Sequence, residues 1–142
     1  MSGKIIIKGL KGLQKNLANS KKIINSRYQT AIRRGTMILV RDLKQGGYVP
    51  FKGGKLKESI RPAFTPLRSV IQPHKNYAIW VHDGTDPSPG RYVPAIGKRV
   101  KTGMHPGIKG VPFMDIAMQR KKREVEKEFE HATGLIAQDL AK

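Results

Sequence analysis

The residues best suited to proton chemistry are His82 and Asp83, adjacent in the run Tyr77-Ala78-Ile79-Trp80-Val81-His82-Asp83-Gly84-Thr85. A histidine oriented by a carboxylate can act as a general acid or base near neutral pH. Catalysis also needs a further positioned group, and none stands nearby in the sequence, so His82 reads more plainly as a histidine at a strand end. Ser59 follows Glu58, but no nucleophile elbow surrounds it. His74, His105 and His131 are widely spaced and form no metal-ligand pattern. The chain has no cysteine, which excludes thiolate zinc sites, cysteine nucleophiles and a disulfide framework. P-loop, dinucleotide and His-Glu-x-x-His motifs are all absent. The 10 acidic residues are too few for a nuclease built on clustered carboxylates. The expectation is no catalytic residue, no cofactor and no metal.

Charge points toward binding instead. Against those 10 acidic residues stand 28 Lys+Arg in 142 residues, a net charge of +18. Such a field attracts polyanions or acidic protein surfaces. The imbalance is concentrated early, since residues 1–62 carry only Asp42 and Glu58 as acids. Within a long basic segment, Lys11, Lys15, Lys22, Arg33 and Arg34 are the candidate face for an anionic partner. Aromatic residues are 6% and do not interleave with the basic runs, which argues against a platform that stacks single-stranded bases.

The elements that must carry these groups follow from periodicity. Lys4–Lys8, with three consecutive isoleucines, predicts a short strand. From Leu10 to about Lys44, apolar residues recur mostly at gaps of three, four or seven, which predicts a long amphipathic helix with a kink or break near Asn19-Ser20. Gly46-Gly47 ends it. Lys55–Ser59 suits one helical turn, Ile60–Thr65 an edge strand because of Pro62, and Leu67–Gln72 a second strand. Tyr77, Ile79 and Val81 alternate with their neighbours and predict a third strand. Residues 86–111 form a long, glycine- and proline-rich segment in which Arg91-Tyr92-Val93 and Arg99-Val100-Lys101 can pair as a hairpin across Gly97. Pro112 and Asp115 suit the start of a final helix, in which Arg120/Glu124 and Lys122/Glu126 are spaced to pair. Gly134 weakens its last turns. The length suits one domain over residues 1–142. No apolar run is long enough for a membrane span, and Ile5-Ile6-Ile7 is too short for a signal-peptide core, so the expected compartment is the cytoplasm or an assembly built there.

Three blocks in this order carry a resemblance. They are Gly53-Gly54-Lys55-Leu56-Lys57-Glu58-Ser59-Ile60, then Tyr77 to Thr85, then Pro112-Phe113-Met114-Asp115-Ile116-Ala117. With Gly9-Leu10 and Gly12-Leu13 ahead of the long helix, the chain resembles the tail-completion (head–tail joining, or neck) proteins of long-tailed bacteriophages, over nearly its whole length. Gly53 stands where that family usually has threonine, and Asp83 directly precedes Gly84 where the family spaces its glutamate one residue further away. The landmarks are Gly54, Leu56, Ser59, Tyr77, Gly84, Thr85, Pro112 and Phe113.

The resemblance implies an α+β fold, a small antiparallel sheet packed against a long N-terminal helix and a C-terminal helix, and the periodicity agrees with this independently. It also implies a non-enzymatic virion structural protein that completes the tail end and joins tail to head. There it would form a ring, a hexamer when assembled, around the DNA channel. The implied partners are other copies of itself, the tail-tube or tail-terminator protein, the head connector and passing double-stranded DNA, with no membrane. Ring contacts need two different faces on each subunit. The 86–111 segment, with Arg91, Tyr92, Lys98, Arg99, Lys101 and Lys109, is the candidate partner contact. The alternative function is sequence-independent nucleic-acid binding, and a basic enzyme such as a toxin ribonuclease using His82 ranks third.

Overall fold

One 36-residue helix, α1 (Leu10–Gln45), is the spine on which the other elements pack. The computed structural model describes residues 10–50, 54–93, 98–105 and 107–141, with backbone alone for 88–93, 98–105, Leu10, Lys11 and Leu13. The expected strand at Lys4–Lys8 lies outside the described residues. Helix α1 runs without the break expected at Asn19-Ser20. The Ser20 hydroxyl donates to the Leu17 carbonyl at 2.6 Å, so the polar side chain is absorbed by the helix's own backbone. The helix stops where Gly47 takes a left-handed φ of 74°, the usual role of glycine past a helix end.

Next come α2 (Lys55–Ser59), β1 (Ile60–Thr65) and β2 (Arg68–Pro73). Strands β1 and β2 pair antiparallel, from Ile60 opposite Pro73 to Thr65 opposite Arg68. Among the described residues this sheet has two strands, so within them both are edges and Pro62 costs no interior ladder bond. The expected third strand is instead a short helix, α3 (Ala78–Asp83). Tyr77 to Val81 is apolar at every position, so alternation carries no information there. Helical spacing puts Ala78, Val81 and His82 on the inner side, whereas Ile79 and Trp80 are exposed. The strand reading would have buried Tyr77 and Ile79, which are 38% and 60% exposed.

The 86–111 segment is a long hairpin excursion. Strands β3 (Gly84–Thr85) and β6 (Ile108–Lys109) pair at its base, and β4 (Ser88–Val93) and β5 (Lys98–His105) pair beyond them. The register is continuous between the tiers, since Thr85 faces Ile108 and Ser88 faces His105. A bulge between Pro89 and Arg91 then shifts it, so that Tyr92 faces Arg99. The expected hairpin is thus observed with its register one residue off, since 91–93 pairs with 98–100 and not 99–101, and the turn at 94–97 lies outside the described residues. The base is closed by backbone proximity: a Cβ on Gly110 would lie 2.5 Å from the Asp83 carbonyl carbon.

Helix α4 (Phe113–Leu140) returns antiparallel along α1. Ties at Asp42–Arg120, Arg34–Glu128 and Arg27–Asp139 mark the register from one end to the other. Gly35 lets the helices approach closely, since a Cβ there would meet Val125 Cγ1 at 3.1 Å. The fold is α+β: two long helices packed together with a small antiparallel sheet. The main core lies at the C-terminal end of α1, where Leu43, Val49, Leu56, Ile60, Ala78, Phe113 and Ala117 are buried together.

Candidate interaction surfaces

His82 sits at the end of α3, not at a strand end. Its Nδ1 is 2.6 Å from Asp83 Oδ1, its ring stands edge-on to Phe113 with centroids 5.2 Å apart, and Asp115 Oδ2 is 3.9 Å from Nε2. A cleft of about 420 Å³ adjoins it, lined also by Lys75, Ile79 and Met114. No serine or threonine lines this cleft. Nε2 is shut from solvent and makes no hydrogen bond among the described residues. A general base must come within roughly 2.6–3.2 Å of the proton it takes. What the geometry achieves is a tie between α3 and the start of α4.

Ser59 is buried, and its hydroxyl donates to the Leu56 carbonyl at 2.7 Å. It closes the single turn of α2 and is not presented to a substrate. Among the described residues no group of three His, Cys, Asp or Glu is placed to hold a metal ion. No helix among them is long and apolar enough to cross a membrane.

The residues that carry the resemblance divide into core and joint. Leu56 and Phe113 belong to the main buried cluster, and Gly54, at φ 69°, starts α2. Tyr77 caps α3 with its carbonyl accepting from Val81 N at 3.2 Å, and the Pro112 carbonyl accepts from Ile116 N at 3.0 Å in α4. Gly84 and Thr85 form the hairpin base, where Thr85 Oγ1 accepts from the Ile108 amide at 3.1 Å. Comparison with protein-family models, curated proteins and solved structures finds no match.

The proposed anionic-partner face is not one uniform face. Lys15, Lys22 and Arg33 are spaced by seven and eleven residues and lie near one line of α1. Lys15 and Lys22 are exposed, while Arg33 lies over the Phe64 ring with its guanidinium carbon 5.8 Å from the centroid. Arg34, one position on, turns toward α4 and sits 3.6 Å from Glu128. Lys11 shares the helix, with its backbone alone described. The partner-contact candidates are brought together by the hairpin: Arg91 and Tyr92 on β4, Lys98, Arg99 and Lys101 on β5, and Lys109, exposed, on β6. Among the described strands β4 and β5 pair only with each other.

A tie that spacing does not reveal joins Asp42, Tyr48 and Arg120. The Tyr48 hydroxyl donates to Asp42 Oδ2 at 2.6 Å, Arg120 Nε is 3.6 Å from the same oxygen, and the Arg120 guanidinium carbon lies 5.3 Å from the centre of the Tyr48 ring. The expected Arg120/Glu124 pair does not form. Arg120 reaches Asp42, and Glu124 is taken by Lys121, while Lys122 and Glu126 stand 3.9 Å apart as spaced. Asp42 is the one acid in α1, and that isolation is the signal the sequence offered.

Burial, then the hydrogen bond to Asp42 and its negative charge, push the Tyr48 phenol well above its usual 10.0, with Arg120 opposing. The folded state therefore favours the neutral phenol. Its contribution is fully present below pH 10 and is lost as pH rises beyond that, where the unfolded chain releases the proton first. Tyr48→Phe is expected to lower stability by roughly 1.5–3 kcal/mol at pH 7, the range for hydrogen bonds to charged groups. It should also flatten the loss of stability between pH 9 and 11. Urea unfolding of both proteins across that range checks it, and parallel pH profiles would sink the assignment.

Proposed function

We propose that this chain is a virion structural protein that completes the tail end and joins it to the head as a ring around the DNA channel. The observation that carries this reading is the convergence of the three motif segments. Leu56 and Ile60 come from the first, Ala78 from the second, and Phe113 and Ala117 from the third, and all five pack in one core. Segments separated in the sequence thus form a single structural unit, as expected if they mark a shared fold and not separate ligand sites. The non-enzymatic reading draws support from the enclosed Nε2 of His82 and the internally bonded Ser59. The hairpin bearing Arg91, Tyr92, Lys98, Arg99 and Lys101 is the proposed grip on a neighbouring subunit or the tail tube, because a β-ribbon whose edges pair with no other described strand can add to another sheet.

The test is the copy number of the chain in purified particles, by quantitative mass spectrometry against the tail-tube protein. A small fixed number, six for a hexamer, is the expected result, and complete absence would end the reading.

Sequence-independent nucleic-acid binding is favoured by one specific feature. A cleft of about 520 Å³ is lined by Lys55, Arg61, His74 and Lys75, with Glu58 as its one acid among the described residues. Binding of any duplex that collapses as salt rises, together with absence from particles, would favour that alternative.

A further inference from the structure

Helix α1 outruns its partner. Arg27 holds Asp139 through Nε at 2.9 Å and Nη2 at 2.6 Å, next to the end of α4 at Leu140. The earlier turns of α1 lie past that end. Gln14, Lys15, Leu17, Ala18, Asn19, Lys21 and Lys22 are all exposed there, so among the described residues no element covers this stretch of helix. Leu17 is 63% exposed, and Leu13 stands four positions before it in the sequence. This arm carries lysines and no acid.

The opposite character occurs on α4. Met118, Lys122, Val125, Glu126, Phe129 and Glu130, with Leu39 of α1 as floor, line an apolar groove of about 450 Å³. Residues 124–130 hold four glutamates and one lysine, the most acidic stretch of a chain of net charge +18. Glu130 has no ion partner among the described residues. From Met118 to Glu130 the groove is about 18 Å long at 1.5 Å per residue, and the exposed arm from Gly12 to Lys22 about 15 Å. Apolar character, charge and length therefore all match.

The match cannot be satisfied within one chain. Leu17 and Leu39 lie on the same unbroken helix, about 33 Å apart. We propose that the α1 arm of one copy docks in the α1–α4 groove of the next, with Leu17 against Met118, Val125 and Phe129 and the arm lysines facing Glu126 and Glu130. This is a helix-in-groove contact. It joins two different surfaces, so it repeats head to tail and closes into a ring when the rotation per subunit allows. It supplies the subunit contact for the ring proposed above and rests on that reading only for its biological setting.

The absence of cysteine makes the test direct. Chains carrying Leu17→Cys and chains carrying Met118→Cys are kept reduced, then oxidised with mild air or copper-phenanthroline oxidant, each alone and as a mixture. Both sites are exposed, so neither substitution disturbs the core. The expected result is a disulfide-linked heterodimer in the mixture, and covalent multimers when both cysteines are in one chain. In a second arm, Glu126→Lys with Glu130→Lys should weaken self-association roughly tenfold, and adding Lys15→Glu with Lys22→Glu should restore it. No heterodimer at any concentration, a predominance of Leu17→Cys homodimers, or no rescue by the charge swap overturns the contact. Copies in particles without this crosslink leave the ring reading standing and remove the arm. The crosslink without copies in particles keeps the arm and removes the tail.

Discussion

Phe113→Ala will lower the free energy of unfolding by roughly 3–5 kcal/mol, the range for losing a buried phenylalanine. Whole domains have only about 5–15 kcal/mol of stability. Phe113 is 1% exposed and opens α4. It packs with Leu43 of α1, Leu56 of α2, Ile60 of β1 and Ala78 of α3, and carries the edge-on ring of His82. These neighbours come from four different elements, so the cavity left by alanine cannot be filled by one neighbour moving. Phe64→Ala is the internal control. Phe64 is 40% exposed on β1 and has Arg33 over its ring, so its loss should cost about 1 kcal/mol or less. Urea midpoints of the two variants check the ordering. If Phe113→Ala stays within 1 kcal/mol of the parent, the core has been assigned to the wrong end of α1.

Gly84→Ala is the second large effect, and its cause is backbone and not burial. Gly84 has φ 87° and ψ −177°, a region that is essentially glycine's alone and costs other residues of order 1–3 kcal/mol. A Cβ there would also lie 2.5 Å from the Ile108 carbonyl oxygen and 2.7 Å from the Gly110 nitrogen. The pairing of β3 with β6 must open to admit it. The hairpin that bears Arg91 to Lys101 then loses its anchored base, and α3 loses the brake that ends it. Gly47→Ala separates the two contributions. Gly47 has φ 74° with nothing within 4 Å of a Cβ, so only the left-handed penalty of about 1–2 kcal/mol applies. Gly84→Ala should therefore be clearly the more damaging, with increased proteolysis within 84–110 under native conditions. Equal stability losses and an unchanged cleavage pattern would contradict the close packing described for the hairpin base.

Local pattern sufficed wherever one period dominated. The long helices, the stop at Gly46-Gly47, the edge strand with Pro62 and a hairpin that pairs 91–93 with the strand after Gly97 all follow from spacing and turn chemistry, and the structure contains them, the hairpin with its register one residue from the expected one. It failed at Tyr77–Val81, where five apolar residues in a row fit either period and only packing against Phe113 and Val111 selects a helix. The break into two helices expected at Asn19-Ser20 is likewise absent, and the serine bonds its own helix there. Pairings were similarly divided. Lys122–Glu126 follows from spacing, but Arg120 abandons Glu124 for an acid 78 positions earlier, because α1 brings Asp42 alongside.

By itself the sequence determined the composition-level facts: a strongly basic chain without cysteine, with helix-strand-helix character and no clustered set of catalytic residues. These depend only on residue types and short-range periodicity. Tertiary structure alone decided that Nε2 of His82 is shut from solvent, that Arg33 and Arg34 serve different neighbours, and that Leu39 of α1 and the glutamate-bearing face of α4 line one apolar groove. Each of these depends on where two distant segments cross. Crossings are set by packing of whole helices, a property that no local window of sequence contains.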